Sequence, residues 1–308
     1  MGFQITLTNV IMMLLYIVPG FLMCKMKKAS ADHLKTVSSV LVYGCSPFLV
    51  ISSFLALDFS WQMLANMGLF FAVTLALQIL FMGILYLGLR KKFDDARYRV
   101  FTVASAMGNV GFFGLPVVRA LLPENPEVMC YAAVYAISMN LIMFTAGVFF
   151  LTRDKKFMTV KAAVLNPTML GLVVALPLYM LRARPFIPEA LVGGIDLLSK
   201  MSAPLCMIIL GIRLATVSFK KLFARPTVYL ACAGKLILFP LFCYLAVCFL
   251  PLDLSFKASV LVLSATPCAS VVFNLSEIYG SDPELSANCV LLSTLICFMT
   301  LPTLTLLL

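Results

Sequence analysis

Histidine is almost absent from this chain, because His33 is the only one among 308 residues and it lies in a basic segment. A histidine-based metal site is therefore excluded. Cysteine occurs ten times, but no two cysteines form a Cys-x-x-Cys pair, and most lie inside apolar runs, where cysteine behaves as a small hydrophobic residue. Neither disulfides nor zinc are expected, and the sequence predicts no metal and no cofactor.

Charged residues are also scarce. They make up 12% of the chain, whereas hydrophobic residues make up 62% and the mean hydropathy is +1.05. This composition is far outside the range of soluble domains and is typical of an all-α polytopic membrane protein in a lipid bilayer. The net charge of +10 does not indicate a nucleic-acid partner, because the basic residues lie in short loops, where orientation in the membrane explains them.

Catalytic residue patterns are missing as well. The sequence contains no glycine-rich phosphate loop and no Ser/His/Asp set, and its only paired carboxylates, Asp94 and Asp95, lie among basic residues in a loop. We interpret this pair as part of a solvated turn. The chain is therefore not expected to be an enzyme, and nothing in it resembles the signalling domain of a membrane receptor.

Ten apolar runs are each expected to cross a bilayer as helices. These spans cover residues 8–24, 36–56, 62–88, 98–121, 128–151, 163–181, 190–214, 226–249, 258–279 and 285–307. Basic residues concentrate in alternate connections, at 24–35, 89–99, 152–161 and 213–225, although the last connection on this side, at 280–284, has no Lys or Arg. Positive charge marks the cytoplasmic side, so we predict a protein of the cell membrane (plasma or inner) with both termini extracytoplasmic.

The second half of the chain repeats landmarks of the first half at an offset of about 158 residues. Pro19 corresponds to Pro177, Pro47 to Pro204, Ser105-Ala106 to Ser264-Ala265, and Asn125-Pro126-Glu127 to Asp282-Pro283-Glu284. Because five spans per repeat is an odd number, the second copy must be inserted upside down. The sequence therefore predicts two inverted five-helix repeats, at 1–154 and 162–308.

Spans four and nine each contain a helix-breaking stretch at membrane depth. In span four, at 105–116, three glycines at about 1 kcal/mol each and one proline at about 3 kcal/mol oppose a continuous helix by roughly 6 kcal/mol. Span nine is predicted to be interrupted at 264–270. The predicted helix-breaking residues are Gly111, Gly114, Pro116 and Pro267. Interrupted membrane helices indicate the binding site of a secondary transporter, while small residues at these spacings also suit close helix packing.

The second half of an interrupted helix presents free N–H groups and the positive end of its dipole, which suit a carboxylate. The amide of Asn109, at the first interruption, can donate and accept hydrogen bonds, so we predict that it binds substrate, with helix capping as the alternative. The other residues predicted to line this site are Gly108, Val110, Thr266, Pro267, Cys268, Ser138 and Asn140. For Ser138 and Asn140, which are polar residues in an apolar helix, interhelical packing is the alternative.

Lys200 and Lys235 are the only charged residues well inside the predicted spans. A charge there costs about 2.5–3.5 kcal/mol even on the insertion scale, so both are included among the predicted substrate-binding residues. The alternative is that each lysine snorkels to an interface. Neither interruption contains an Asp or Glu, and Asp196 and Glu277 lie near span ends. Lysines without acids at the interruptions favour an anionic substrate.

The segment Gly-Asn-Val-Gly-Phe-Phe-Gly-Leu-Pro at 108–116 resembles the fourth-helix motif of the auxin efflux carrier family, which includes plant auxin exporters and bacterial carriers described as malonate transporters. Asn166-Pro167, Pro204, Thr266-Pro267 and Asp282-Pro283-Glu284-Leu285 resemble this family too, so the similarity covers essentially the whole chain. Only Leu151 to Ala162 stands where many plant carriers have a long cytoplasmic loop. The chain thus resembles the compact bacterial type, for which auxin is not the expected substrate.

This resemblance implies ten helices in two inverted repeats, with spans one, two, six and seven forming a scaffold that makes a homodimer. Spans three to five and eight to ten would form a transport unit that moves by elevator-type alternating access, and spans four and nine would cross at their unwound midpoints beside the substrate. The expected function is a secondary carrier of small organic anions, mono- or dicarboxylates. The alternative is a symporter of the bile-acid symporter type, coupled to Na⁺ or H⁺.

Overall fold

The computed structural model describes residues 2–158, 160–217, 222–223 and 225–308, and within these ranges the chain forms helices and no β-strand. Its main helices are α1 (Gly2–Lys25), α2 (Ala31–Leu55), α3 (Trp61–Lys92), α4 (Ala96–Ala104), α5 (Val110–Leu121), α6 (Glu127–Thr152), α7 (Pro167–Met180), α8 (Glu189–Thr216), α9 (Pro226–Val247), α10 (Leu254–Ser264), α11 (Ser270–Tyr279) and α12 (Pro283–Leu307). Seven of these helices, namely α1, α2, α3, α6, α8, α9 and α12, are long and apolar enough to cross a membrane.

Helix occupies the positions of all ten predicted spans, but two spans are divided. Span four consists of α4 and α5 with an interruption at residues 105–109, and span nine consists of α10 and α11 with an interruption at residues 265–269. Span six is shorter than predicted, because α7 begins only at Pro167, where the Asn166 side chain caps it. The inverted relation between the two halves stays a prediction from the sequence.

Proline residues are accommodated by widened helical turns. A π-helical turn at the start of α5 ends at Gly114, two residues before Pro116, and similar turns precede Pro47 in α2 and Pro240 in α9. Proline lacks an N–H and its ring clashes with the carbonyl four residues earlier, and a wider turn relieves that clash. Gly111, Gly114 and Pro116 therefore lie inside α5, and the first interruption is shorter than the sequence predicts.

Two pairs of helices pack with their backbones nearly in contact. Where α1 meets α8, a methyl group added at Gly20 would clash with the carbonyl oxygen of Ile208, and one added at Gly211 would clash with the α1 backbone. Where α2 meets α7, a methyl group at Gly171 would lie 2.7 Å from the carbonyl oxygen of Pro47. Small residues at helix contacts permit this close approach, which strengthens van der Waals packing between membrane helices.

The core is built around α6, the most enclosed of the long helices. The most apolar part of α6 is 61% buried, compared with 22% for α1 and 33% for α3. Three rings join α6 to its neighbours: Phe70 of α3 lies 4.6 Å from Tyr131 of α6 and 4.8 Å from Phe256 of α10, measured between ring centroids. This cluster packs α3 and α10 against α6.

The loops between helices lie on two faces. On one face Arg153 pairs with Asp94, the Phe157 ring packs on Tyr279, and Arg225 pairs with Asp282 (2.8 Å) and with Glu284 (2.8 Å). These contacts show that the connections following α3, α6, α8 and α11 lie on the same face of the molecule. This face is here called the basic face. Gly2 lies beside Leu121 and Thr305, so both chain ends lie on the opposite face. Lys220 and Lys221 of the predicted basic segment 213–225 lie outside the described residues.

Candidate functional site

The two interruptions, residues 105–109 and 265–269, meet and pair with each other, and together they are here called the crossing. Their backbones exchange two hydrogen bonds, one from the N–H of Asn109 to the carbonyl of Pro267 (2.7 Å) and one from the N–H of Ala269 to the carbonyl of Met107 (3.1 Å). The N–H of Cys268 donates to the Ser293 hydroxyl of α12 (2.9 Å). These hydrogen-bond partners matter because the hydrocarbon of a membrane provides no hydrogen-bond donor or acceptor for backbone groups.

The Asn109 side chain does not cap α5. The Asn109 backbone carbonyl accepts the N–H groups of Phe113 and Gly114, both at 3.1 Å, whereas its side-chain amide donates to the Cys206 thiol of α8 at 3.5 Å. A thiol is a weak acceptor, so this contact leaves the amide ready to exchange it for a better partner. Asn109 is 9% exposed, and the exposed part of the residue lines a cavity.

Thr266 occupies the space that two glycines leave in the facing segment. A methyl group added at Gly108 would clash with the Thr266 hydroxyl, and one added at Gly114 would lie 2.7 Å from the Thr266 methyl group. Gly111, between them, has open space at its Cβ position. Among the described glycines only Gly280 has a positive φ, so these positions need a small residue rather than an unusual backbone conformation.

Lys235 is buried next to the crossing and is not among the residues that line the two cavities described below. Its side chain is enclosed, with the residue 1% exposed, and its ammonium donates to the carbonyl of Ser264, the last residue of α10. The ammonium also lies 4.9 Å from the centre of the Phe239 ring. Lys235 therefore does not snorkel to an interface, and it lies against the end of α10 next to the crossing.

A cavity of about 530 Å³ lies between the crossing and the basic face, and it is here called the basic-face cavity. Its polar lining consists of Ser38, Ser46, Asn109, Asn140, Asn166, Thr168, Arg213, Ser270 and Asn274, together with Tyr43. None of the described residues that line it is an Asp or Glu. Ser270 begins α11, so the positive end of this helix dipole also faces the cavity.

Arg213 is the residue of this cavity that sequence reasoning missed. Its position near the end of span seven makes it resemble one more basic loop residue, but the structure places it in the cavity wall. One terminal guanidinium nitrogen, Nη2, donates to the Asn274 side-chain oxygen (3.3 Å), and the guanidinium carbon lies 4.2 Å from the Phe273 ring centre. Its Nε is buried and has no hydrogen-bond partner among the described residues. The surrounding run Ile-Leu-Gly-Ile-Arg-Leu-Ala, which is apolar on both sides, is the signal that could have found it.

A second cavity, of about 560 Å³, lies on the other side of the crossing, toward the face that holds the chain ends. Lys200 lines this cavity with Arg119, so the structure does not bring Lys200 together with Asn109. Both side chains are exposed. Gly111 and Leu49 line both cavities, so the two cavities approach each other at these residues.

The two polar residues of span five have different surroundings. The Ser138 hydroxyl is buried and accepts a hydrogen bond from the Gln78 amide of α3 (3.0 Å), and it lies 3.2 Å from the Thr74 hydroxyl. Ser138 therefore joins α3 to α6 and lies outside the basic-face cavity. Asn140, only two residues further along α6, is directed into that cavity.

Neither carboxylate of the Asp94–Asp95 pair belongs to a catalytic arrangement. Asp95 caps α4 by accepting the backbone N–H of Arg97 (2.9 Å), and it also pairs with the Arg97 guanidinium (2.6 Å). These hydrogen bonds from Arg97 hold the pKa of Asp95 below its ordinary value. Asp94 pairs with Arg153. Within the described residues there is also no group of three or more His, Cys, Asp or Glu that could hold a metal ion.

An all-helical membrane protein whose broken helices meet between two cavities has the general architecture of a membrane transport protein. Residues 5–305 match a family described as membrane transport protein. The chain therefore belongs to the auxin efflux carrier family, which is a family of transporters and not of enzymes. It is also 24% identical over 300 residues to an uncharacterized transporter of Methanocaldococcus jannaschii, in an alignment that covers 94% of this chain and 95% of the relative.

Proposed function

We propose that this transporter is a secondary carrier of small organic anions, mono- or dicarboxylates, that binds its substrate at the crossing. The observation that carries the proposal is the basic-face cavity, in which Asn109 and Arg213 converge without any acidic lining residue among those described. A buried guanidinium nitrogen without a partner is costly, and a carboxylate would satisfy it with a charge-assisted hydrogen bond.

Two further groups in this cavity favour an anion. The N-terminus of α11 presents backbone N–H groups at Ser270 and Val271, whose partial positive charge attracts a carboxylate. The Asn109 amide adds a neutral donor beside the crossing. A cationic substrate would meet the guanidinium of Arg213 and no Asp or Glu among the described residues that line the cavity, so these same groups oppose it.

The packing supports a division into a scaffold and a moving unit. The close backbone contacts of α1 with α8 and of α2 with α7 join the helices of spans one, two, six and seven, which are the proposed scaffold. The crossing and the aromatic cluster join helices of the proposed transport unit, α3, α4, α5, α6, α10 and α11. We propose that this unit moves as a whole by elevator-type alternating access, in a homodimer whose basic face is cytoplasmic.

The experiment that tests the substrate class is counterflow in proteoliposomes with a panel of labelled mono- and dicarboxylates. We expect saturable uptake of at least one of them, and we expect Asn109→Ala to reduce it at least about tenfold, because losing a hydrogen bond to a charged group costs about 1.5–3 kcal/mol. Asn66→Ala, which removes an asparagine of α3 outside the basic-face cavity, is the matched control and should transport normally. Uptake of no carboxylate at all would contradict the substrate class, and normal uptake by Asn109→Ala would remove the site assignment.

Arg213→Met should raise the concentration of the transported carboxylate at half-maximal uptake by about tenfold or more, for the same energetic reason. Methionine keeps an unbranched chain in the cavity wall but cannot donate a hydrogen bond. The measurement is the concentration dependence of counterflow. Arg184→Met, which removes an arginine from an exposed ion pair with Glu189, is the control. An unchanged half-maximal concentration in Arg213→Met would show that the guanidinium does not contact the anion.

A further inference from the structure

Lys235 is a buried cation with no carboxylate partner among the described residues. No Asp or Glu oxygen of the described residues lies within ion-pair distance of its ammonium, whose surroundings are the carbonyl of Ser264 and the face of the Phe239 ring. A methyl group added at Gly108 would lie 3.0 Å from the ammonium nitrogen, so the ammonium lies beside Gly108 of one interruption and at the end of α10, which leads into the other. This position distinguishes Lys235 from the substrate-binding residues of the basic-face cavity.

One of the groups around this ammonium, the carbonyl of Ser264 at the end of α10, is of the kind that holds a metal cation in secondary transporters. The C-terminal end of a half-helix carries partial negative charge, and in secondary transporters the carbonyls at such ends coordinate Na⁺. At the end of α10, the carbonyls of Leu261 and Leu263 are used by local donors, from Ser264 and Thr266. The carbonyl of Ser264 accepts the lysine instead.

The neighbouring helix fixes the lysine in this place. Lys235 lies in the π-helical turn of α9, and the preceding Gly234 packs so closely on the crossing that an added methyl group would lie 2.6 Å from the Ser105 hydroxyl oxygen. A π-helical turn shifts the residues that follow it around the helix axis and is frequent at functional sites. The backbone of α9 therefore brings the ammonium directly against the end of α10.

We propose that the Lys235 ammonium is a tethered cation that occupies the place of a coupling ion, so that this chain needs no Na⁺ to complete the crossing. The cation site itself rests only on the contacts of Lys235. Its consequence for transport rests on the proposed carrier function. The juxtaposition that carries the inference is an ammonium group between the carbonyl end of α10 and Gly108.

The stability of the purified protein tests the cation site without any substrate. Thermal unfolding can be followed in detergent with a thiol-reactive dye, because most of the ten cysteines are buried. The protein is compared in choline chloride, sodium chloride and methylammonium chloride at equal ionic strength. We expect the wild type to unfold at the same temperature in all three salts. Lys235→Ala should unfold at least about 3 °C lower in choline chloride and should recover at least half of this loss in Na⁺ or methylammonium, in a saturable manner.

Two variants separate a cation site from simple packing. Lys235→Met keeps a long apolar side chain, and we expect it to be destabilised and not rescued, because the methionine fills the space that a free cation would enter. Lys35→Ala removes an exposed lysine and should behave like the wild type in every salt. A wild type that Na⁺ stabilises relative to choline would overturn the proposal. So would a Lys235→Met protein as stable as the wild type, or a folded Lys235→Ala protein that no cation stabilises.

Transport supplies the second readout. With any carboxylate that the wild type exchanges, we expect equal counterflow in Na⁺ and in choline for the wild type. Counterflow by Lys235→Ala should be lost in choline and partly restored by Na⁺ or methylammonium. If the wild type exchanges no carboxylate, the proposed function fails while the stability result still decides the cation site. If wild-type exchange requires Na⁺, the carrier function stands and the tethered-cation proposal fails.

Discussion

Alanine at Gly211 should greatly reduce the amount of folded protein in the membrane. A Cβ atom there would clash with the backbone of α1 around Ile17, and neither backbone can rotate away as a side chain could. Gly20, on the facing helix, has the reciprocal clash with Ile208. Separating α1 from α8 along this contact should cost about 3 kcal/mol or more, at the upper end of overpacking costs. The measurement is the unfolding temperature in detergent, together with the yield of monodisperse protein.

Gly193→Ala is the matched control for this prediction, because Gly193 lies in the same helix, α8, and has no atom within 4 Å of its Cβ position. Alanine is a better helix former than glycine by about 1 kcal/mol, so this variant should be as stable as the wild type or more stable. If Gly211→Ala and Gly193→Ala unfolded at the same temperature, the close contact between α1 and α8 would be contradicted.

Alanine at Gly108 should abolish transport of any solute that the wild type carries, because the new methyl group would clash with the Thr266 hydroxyl and push the two halves of the crossing apart. The two interbackbone hydrogen bonds of the crossing could not both survive that separation. The clash is with a side chain, so it can be relieved. We expect the double variant Gly108→Ala/Thr266→Ala to recover most of the lost transport, measured by counterflow relative to protein content.

The double variant makes this prediction specific. Thr266→Ala alone removes only a hydroxyl and a methyl group, and its hydroxyl bonds locally to the carbonyl of Leu263, so it should retain most of its transport. Coupling between Gly108 and Thr266 in a double-mutant cycle would then report their contact directly. Additive losses in the double variant would mean that Gly108 acts in some other way, such as direct contact with the solute.

The positions of the interruptions could be predicted from the sequence because their signal is local. Glycine and proline oppose helix wherever they lie in a long apolar run, and span four contains three glycines and a proline at its interruption, while span nine contains Pro267. The conformation and the contacts of each of these residues could not be predicted in this way. Pro116 follows a π-helical turn, which lets the helix continue past it. Gly108 and Gly114 leave space for Thr266, and this role depends on a contact between segments about 150 residues apart.

The lysines illustrate a second limit of sequence reasoning. Lys200 and Lys235 look alike in the sequence, since each is a single charge in an apolar span, yet one lies exposed at the opposite cavity and the other is buried next to the crossing. A helix that is apolar on all sides has no periodic pattern to show which side faces the core. The role of Arg213 could not be predicted for a related reason. A count of basic residues predicts the orientation of the chain in the membrane, but it does not distinguish an arginine in a loop from one in a cavity wall.

The shared lining of the two cavities has an electrical consequence. Gly111 and Leu49 line both cavities, so the barrier between the cavities includes these residues. The voltage across a membrane falls mainly over the part of the path that excludes water and ions, and a full 100 mV acts on one elementary charge with about 2.3 kcal/mol. For the anion transport proposed above, most of that work would be done on passage through this barrier. Membrane voltage would then act on the step at the crossing rather than on entry into either cavity.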